Sequence, residues 1–335
     1  MLVDTNTLVT VFGGSGFLGR YVVHQLAKRG HRVRVACRRP DLAYHLQTAG
    51  RLGQIQAVQA NLRYPWSVER AIDDAHHVVN LVGILTESGK QSFSSLQAEG
   101  AATVAKAAAS ANAKLVHVSA IGADEASASG YARSKALGEK AVFEAVPDAI
   151  VLRPSIVFGA EDQFFNRFAD MARMSPVLPL LGGGTTRFQP IFVNDVAQAV
   201  AKAVDGAVPG GRVYELGGPE ALTFRQMMEE MLLVIDRKRR FVSIPFSLAG
   251  RLAPYLQHLP GAPLTPDQVV QLQVDNVVSD AAKAERRTLE AFGVTPRTLE
   301  AVLPTYLVRF RPQGQFTRGS PTSDQTVDDE IAPRP

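Results

Sequence analysis

The amino-acid sequence predicts an α/β fold: a doubly wound parallel sheet followed by a smaller C-terminal α/β lobe. Three observations carry that prediction. Short runs rich in Val, Ile and Leu alternate with amphipathic stretches between residues 7 and 153. Runs that are apolar throughout belong to strands covered on both faces, as in parallel sheets. A glycine-rich turn joins the first strand to the first helix, and beyond residue 153 prolines break the rhythm into shorter pieces.

Taken in order, residues 7–12 read as a buried strand and 17–29 as a helix with Leu18, Val22 and Leu26 on one face. Strands follow at 32–37, 55–60, 77–83, 114–119 and 149–153, with helices near 41–49, 67–73, 93–112 and 131–146. The helix ending at Asn112 is rich in alanine, which lets it lie close to the sheet. Repeated βα units of this kind make right-handed crossovers. Pro154, Pro176, Pro179 and Pro190, with the turn Gly182-Gly183-Gly184, then punctuate the chain. A helix is predicted at 194–204, a strand at 213–216, and a helix at 224–236 capped by Thr223. The expected division is a nucleotide-binding domain over 1–154, rejoined by parts of 185–220, and a smaller lobe over 155–311. Residues 312–335 carry hardly any apolar side chains and read as a disordered tail.

Composition narrows the function. The chain of 335 residues has a single cysteine, Cys37, which excludes an internal disulfide framework and a Cys-based zinc site. The seven histidines are not at ligand spacing, so no metal is expected. Net charge is +4, and the dense basic cluster is Arg237-Lys238-Arg239-Arg240. It reads as a solvated helix end, or else as a site for an anionic membrane surface or an acidic partner. Without interleaved aromatics, nucleic acid is not expected. The apolar segment at 244–256 reads as lobe core, or as a surface docking on neighbouring subunits or the membrane interface. No apolar run reaches the roughly 18 residues needed to span a bilayer. No targeting peptide is evident before the first strand, which fits the cytosolic side of a bacterial membrane or an already processed chain.

The first turn reads Gly13-Gly14-Ser15-Gly16-Phe17-Leu18-Gly19. Gly13 permits a tight turn, Gly16 lets the backbone approach a pyrophosphate, and Gly19 lets the helix pack on the strand. The helix N-terminus then presents free N–H groups to the phosphates. This is the Rossmann-type dinucleotide pattern. An NAD site carries an acid near the end of the second strand, about 18 to 20 residues further on, to accept bonds from the ribose 2′-OH. Here that position reads Cys37-Arg38-Arg39-Pro40. A guanidinium suits a 2′-phosphate, so NADPH is the expected ligand.

Tyr131 and Lys135 stand at i and i+4 of a predicted helix, on one face. In a reductase, such a lysine would hold the nicotinamide ribose and lower the tyrosine pKa for proton exchange with a substrate oxygen. With the glycine turn, Asn61-Leu62 after the third strand, Asn80-Leu81-Val82-Gly83 on the fourth and the 152–159, 187–196 and 213–219 blocks, the chain resembles the extended or atypical short-chain dehydrogenase/reductase superfamily. The resemblance implies a cofactor site formed by Gly13, Gly14, Ser15, Gly16, Phe17, Leu18, Gly19, Arg38 and Arg39. It adds Asn61, Leu62, Val82, Gly83, Ser119, Tyr131, Lys135, Pro154 and Ile156. It also implies a catalytic hydroxyl late in the fifth strand, and aligned with Val118-Ser119-Ala120-Ile121 that position falls on Ala120. Alanine can neither donate nor accept the bond. Tyr131 and Lys135 would be catalytic only if the protein is an enzyme.

A narrower resemblance rests on residues 135–142, 157–169 and above all Leu264-Thr265-Pro266-Asp267-Gln268 and Asp275-Asn276-Val277-Val278. These look like the NAD(P)H-binding accessory subunits of respiratory complex I, the NADH:ubiquinone oxidoreductase. That branch implies a firmly held, structural NADPH without turnover. It also implies other complex I subunits as partners and a place on the cytoplasmic or matrix side of the inner membrane. The competing expectations are an NADPH-dependent reductase or epimerase acting on a sugar nucleotide or quinone-like carbonyl, and a nucleotide-sensing assembly factor.

Overall fold

A computed structural model describes residues 7–257 and 264–312. Strands β1 (Leu8–Phe12), β2 (Arg32–Cys37), β3 (Ile55–Gln59), β4 (His77–Asn80), β5 (Lys114–Val118) and β6 (Ile150–Pro154) come first. Four shorter strands follow: β7 (Val157–Phe158), β8 (Val177–Leu181), β9 (Arg187–Phe188) and β10 (Ile191–Phe192). Then come β11 (Arg212–Leu216), β12 (Leu222–Thr223) and β13 (Arg240–Ile244). Seven of these form one parallel sheet in the order β11-β6-β5-β4-β1-β2-β3. The chain moves outward from β1 through β2 to β3, then crosses back to β4 on the other side of β1. That reversal opens a crevice at the carboxyl ends of β1 and β4, where ligands bind in open α/β sheets.

Both faces of the sheet are covered. Helix α1 (Phe17–Lys28) buries Val22, Val23 and Leu26 on one face, against Val9, Val11 and Val35. Helices α2 (Pro65–Ile72), α3 (Glu99–Ser110) and α4 (Gly130–Ala145) cover the other. The buried alanines Ala101, Ala105 and Ala108 bring α3 close, as its composition predicts. Helix α5 (Phe165–Met174) belongs to a second core, whereas α6 (Val193–Val204) returns to pack beside α1. Helix α7 (Phe224–Val234) is capped by Thr223 in a full capping box with Gln226, and buries Met227, Met228 and Met231 with Phe158, Leu178 and Leu180. The pair β8–β13 lies at this second core's edge. Helices α8 (Phe246–Leu256), α9 (Pro266–Gln271) and α10 (Asp280–Ala284) follow, and α11 (Leu299–Val302) and α12 (Pro304–Leu307) close the second core.

Three predicted elements differ. The expected helix at 41–49 is two 3₁₀ turns, Pro40–Leu42 and Tyr44–Ala49. Ala43 and Leu46 are the buried residues there, three apart, which suits a three-residue turn better than an α-helix. The helix expected at 93–112 is preceded by a π turn, Ser94–Ala98, and becomes α-helical only at Glu99. The strand expected at 77–83 stops at Asn80, whose side-chain oxygen accepts from the Val82 N–H at 3.1 Å and turns the backbone out of the ladder. The tail predicted to be disordered lies, from residue 313, outside the described residues.

His117, inside β5, is fully enclosed and contacts Asn80 at 3.2 Å through Nδ1. Burial, aided by the Lys135 charge, pushes its pKa down to about 3. The unfolded chain binds the proton near the ordinary 6.5 and the folded chain does not, so stability is full above that pH and falls as pH drops through the window. The slope is up to ~1.4 kcal/mol per pH unit. Urea midpoints should show the parent losing roughly 2 kcal/mol more than His117→Asn between pH 6.5 and 5. Parallel slopes for the two proteins would refute the assignment.

Candidate dinucleotide site

The turn after β1 is held by its own backbone. Gly13 has φ +79°, donates to the Ala36 carbonyl at 3.2 Å and accepts from Gly16 N–H at 3.0 Å. A Cβ on Gly19 would collide with the Gly13 carbonyl oxygen and lie 2.6 Å from Gly14 Cα. Helix α1 can therefore start only on a glycine-lined turn. Gly16 differs: a Cβ there would meet nothing but the Gly13 oxygen, at 3.2 Å, so its outer side faces open space. Gly14 packs under the turn toward Val35, Val23 and Val11, while Ser15 is half-buried. Phe17 faces Gly159 and packs edge-on against Tyr21, and Leu18 leans on the sheet core.

At the end of β2 the two arginines part company. Arg39 clamps Asp41, with Nε at 3.0 Å and Nη2 at 2.7 Å from its carboxylate oxygens, and this pairing holds the Asp41 pKa down. Arg38 is exposed and donates to Gln91 Oε1 at 3.0 Å, with no carboxylate partner among the described residues. After β3, Asn61 accepts from Arg63 N–H at 3.2 Å in a tight turn, which leaves Leu62 buried.

Three strand ends, those of β4, β5 and β6, meet at the other side of the crevice. Leu81, Val82 and Gly83 leave β4, and a Cβ on Gly13 would touch Leu81 and Val82, so the first turn and this exit are neighbours. The Lys135 ammonium donates to the Val118 carbonyl at 3.2 Å and lies 3.3 Å from where a Gly83 Cβ would stand. Burial lowers its pKa to about 8, against the pull of Glu139. Ser119 Oγ is buried beside this lysine's anchor and has no partner among the described residues. Tyr131 packs edge-on against Phe93 with centroids 5.8 Å apart. Pro154 ends β6, and Ile156 O accepts from Ile191 N–H at 2.9 Å.

A reductase would use a lowered tyrosine pKa, and the protein's own surroundings act the other way. Burial and the Asp267 carboxylate push Tyr131 up to about 12. Asp267 Oδ1 accepts from Gly130 N–H at 2.6 Å and Tyr131 N–H at 3.4 Å, and Oδ2 from Ser129 Oγ at 3.0 Å. A carboxylate at the N-terminus of α4 thus fixes the helix that carries Tyr131 and Lys135. Asn276, further along, accepts from Ser155 Oγ at 2.7 Å and donates to the Ile121 carbonyl at 3.2 Å. Val278 and Ala282 form a closed apolar cluster with Ile121, next to Ala120. The sequence marks 264–278 as unusual but does not reveal these contacts. Its one local signal is the capping box of Thr265 and Gln268 that opens α9 and sets Asp267 in the first turn.

The arrangement offers an open glycine turn, a buried cation and an unpaired buried hydroxyl along one line of strand ends. That combination fits a phosphorylated, hydroxylated ligand lying across the crevice. It provides no second hydroxyl at Ala120 to grip a substrate oxygen.

Residues 9–217 match the NAD dependent epimerase/dehydratase family. The mitochondrial NADH dehydrogenase (ubiquinone) 1 alpha subcomplex subunit 9 of Arabidopsis thaliana is 35% identical over 97% of this chain and 81% of its own length. The ceramide reductase of Caulobacter vibrioides is 31% identical over 73% of this chain and 76% of its own. Among solved structures, the NADPH-dependent quinone oxidoreductase of Escherichia coli with NADPH has the same fold, with a TM-score of 0.70 at 20% identity, over 90% of this chain and 99% of that one. The chain belongs to the NAD dependent epimerase/dehydratase family, whose fold binds NAD(P), and groups with the NADH dehydrogenase alpha subcomplex subunit 9 proteins.

Proposed function

We propose that the chain holds NADPH as a structural ligand and serves as a non-catalytic accessory subunit of respiratory complex I, peripheral to the membrane. The observation that carries this reading is the extent of the likeness. The family model ends at residue 217, whereas similarity to the plant subunit runs over 97% of the chain and so takes in the 264–282 segment around Tyr131.

When bound, NADPH supplies a hydride donor. The protein's own groups are arranged to hold rather than to react. The turn at Gly13, Gly14, Ser15 and Gly16, with Phe17, Leu18 and Gly19 opening α1, presents N–H groups to the pyrophosphate. Arg38 is the guanidinium left to meet a 2′-phosphate, because Asp41 already occupies Arg39. Asn61 and Leu62 flank the adenine end. Lys135 and Ser119 hold the nicotinamide ribose, with Val82, Gly83, Pro154 and Ile156 around them. Tyr131, held protonated by burial and Asp267, donates a hydrogen bond instead of shuttling a proton. A ligand bound only by the folded form stabilises it by mass action without any turnover.

The second reading, an NADPH-dependent reductase or epimerase, is favoured by the Tyr131/Lys135 pair and by the likeness to a ceramide reductase. Native electrophoresis of gently solubilised membranes separates the two. The protein should migrate with NADH–quinone reductase activity; migration alone would overturn the subunit reading.

Denaturing the purified protein and weighing the released nucleotide should yield NADP(H), and Arg38→Ala should weaken NADPH binding about tenfold, or ~1.4 kcal/mol, without changing NADH binding. Released NAD(H) would refute the role of Arg38. The glycines make a further pair of tests. Gly16→Ala should unfold within ~1 kcal/mol of the parent yet lose most of the NADPH-induced rise in melting temperature. Gly19→Ala should destabilise the protein itself by about 2 to 3 kcal/mol, because the backbone must move. Equal effects of the two substitutions would count against a ligand lying over Gly16.

A further inference from the structure

Residues 237–266 contain no Asp or Glu, while Arg237, Lys238, Arg239, Arg240 and Arg251 fall among them. Among the described residues of this stretch, Lys238, Arg240 and Arg251 are exposed. Helix α8 buries Ala249 and Ala253 among Leu181, Ile244 and Phe246. On its other side Leu248, Leu252 and Tyr255 stand at i, i+4 and i+7, one face of a helix, and are 48%, 43% and 77% exposed. Single exposed leucines are ordinary on a protein surface, but an aligned stripe is not.

Strand β13, which precedes α8 in the chain, is also exposed along part of its length. Alternate strand residues point the same way, so Arg240 and Val242 share a face with Ile244. The inner side of α8 covers Ile244, whereas Arg240 and Val242 stay exposed. Two of the basic residues are spent locally: Arg237 Nε donates to the Phe310 carbonyl at 2.9 Å and Arg239 Nε to the Ala172 carbonyl at 2.6 Å. Lys238 and Arg240 are exposed and have no carboxylate partner among the described residues. An amphipathic helix with its apolar face outward, flanked by free cations and no acids, has the chemistry of an interfacial helix. Protein interface cores are instead depleted in lysine. No helix among the described residues is long and apolar enough to cross a membrane, so such contact is peripheral.

We propose that the outer face of α8, together with Lys238 and Arg240, is a docking surface for an anionic lipid bilayer. Leu248, Leu252 and Tyr255 enter the headgroup layer, and Lys238 and Arg240 meet the acidic headgroups. The surface lies on residues outside the dinucleotide site, so the proposal stands or falls separately from the nucleotide reading.

The full chain, as purified, is sedimented with vesicles of equal parts phosphatidylcholine and phosphatidylglycerol, and with phosphatidylcholine alone. Partitioning should be at least about tenfold stronger with phosphatidylglycerol and should weaken as salt rises. The double substitutions Lys238→Glu/Arg240→Glu and Leu248→Ser/Leu252→Ser should each reduce it at least about tenfold while the melting temperature stays unchanged. All four positions are exposed, and an unchanged melting temperature reports that each variant is folded. Equal partitioning into both vesicle types, no binding to either, or parental binding by either variant would overturn the proposal. So would variants that leave the native membrane complex although the parent ignores vesicles, since the surface would then serve a protein partner.

Discussion

Everything at the crevice depends on how closely α1 approaches the end of β1. The Gly19 Cα sits against the Gly13 carbonyl and the Gly14 backbone, with no room for a side-chain carbon. That contact fixes where the helix begins, so the open N–H groups of its first turn lie at the carboxyl end of β1. It also settles the position of the Gly13 neighbours Leu81 and Val82 at the exit of β4. Apolar burial of Val22, Val23 and Leu26 against the sheet supplies the force that holds the helix down. The glycines decide that it can come close enough.

From this anchor the rest of the site follows by sheet order. Strands β4, β5 and β6 bring Gly83, Ser119 and Pro154 to one edge, and α4 returns beside them with Tyr131 and Lys135. What holds α4 in place comes from far along the chain. Asp267 caps its N-terminus, and Asn276 ties together the loops that begin at Ile121 and Ser155. The Ile121, Val278 and Ala282 cluster then shuts the space next to Ala120. The helix that carries Tyr131 and Lys135 is thus anchored at its N-terminus by the chain's own later segment.

Electrostatics point the same way. Burial is the larger influence on both members of the pair, raising Tyr131 and lowering Lys135, and each shift works against the charged form. Lys135, with its pKa near 8, is still largely an ammonium at neutral pH and can bind hydroxyl oxygens. Tyr131 remains a phenol and a hydrogen-bond donor. The family carries many functions on one frame, and which of them a chain performs is decided by such local surroundings.

The sequence by itself determined the doubly wound sheet, the glycine turn and the Tyr131/Lys135 spacing, because strand apolarity, turn chemistry and helical period are local properties. Local patterning failed where short-range geometry competed with it. The Pro40–Ala49 region prefers three-residue turns, and Asn80 ends β4 early by bonding its own neighbouring backbone. Only the tertiary structure decided that Arg39 is paired with Asp41 while Arg38 is free of carboxylates, although the two look alike in sequence. It alone brought Asp267 to Tyr131, across 136 positions of chain. That last contact joins residues whose meeting depends on the packing of several elements at once, and no periodicity or spacing encodes it.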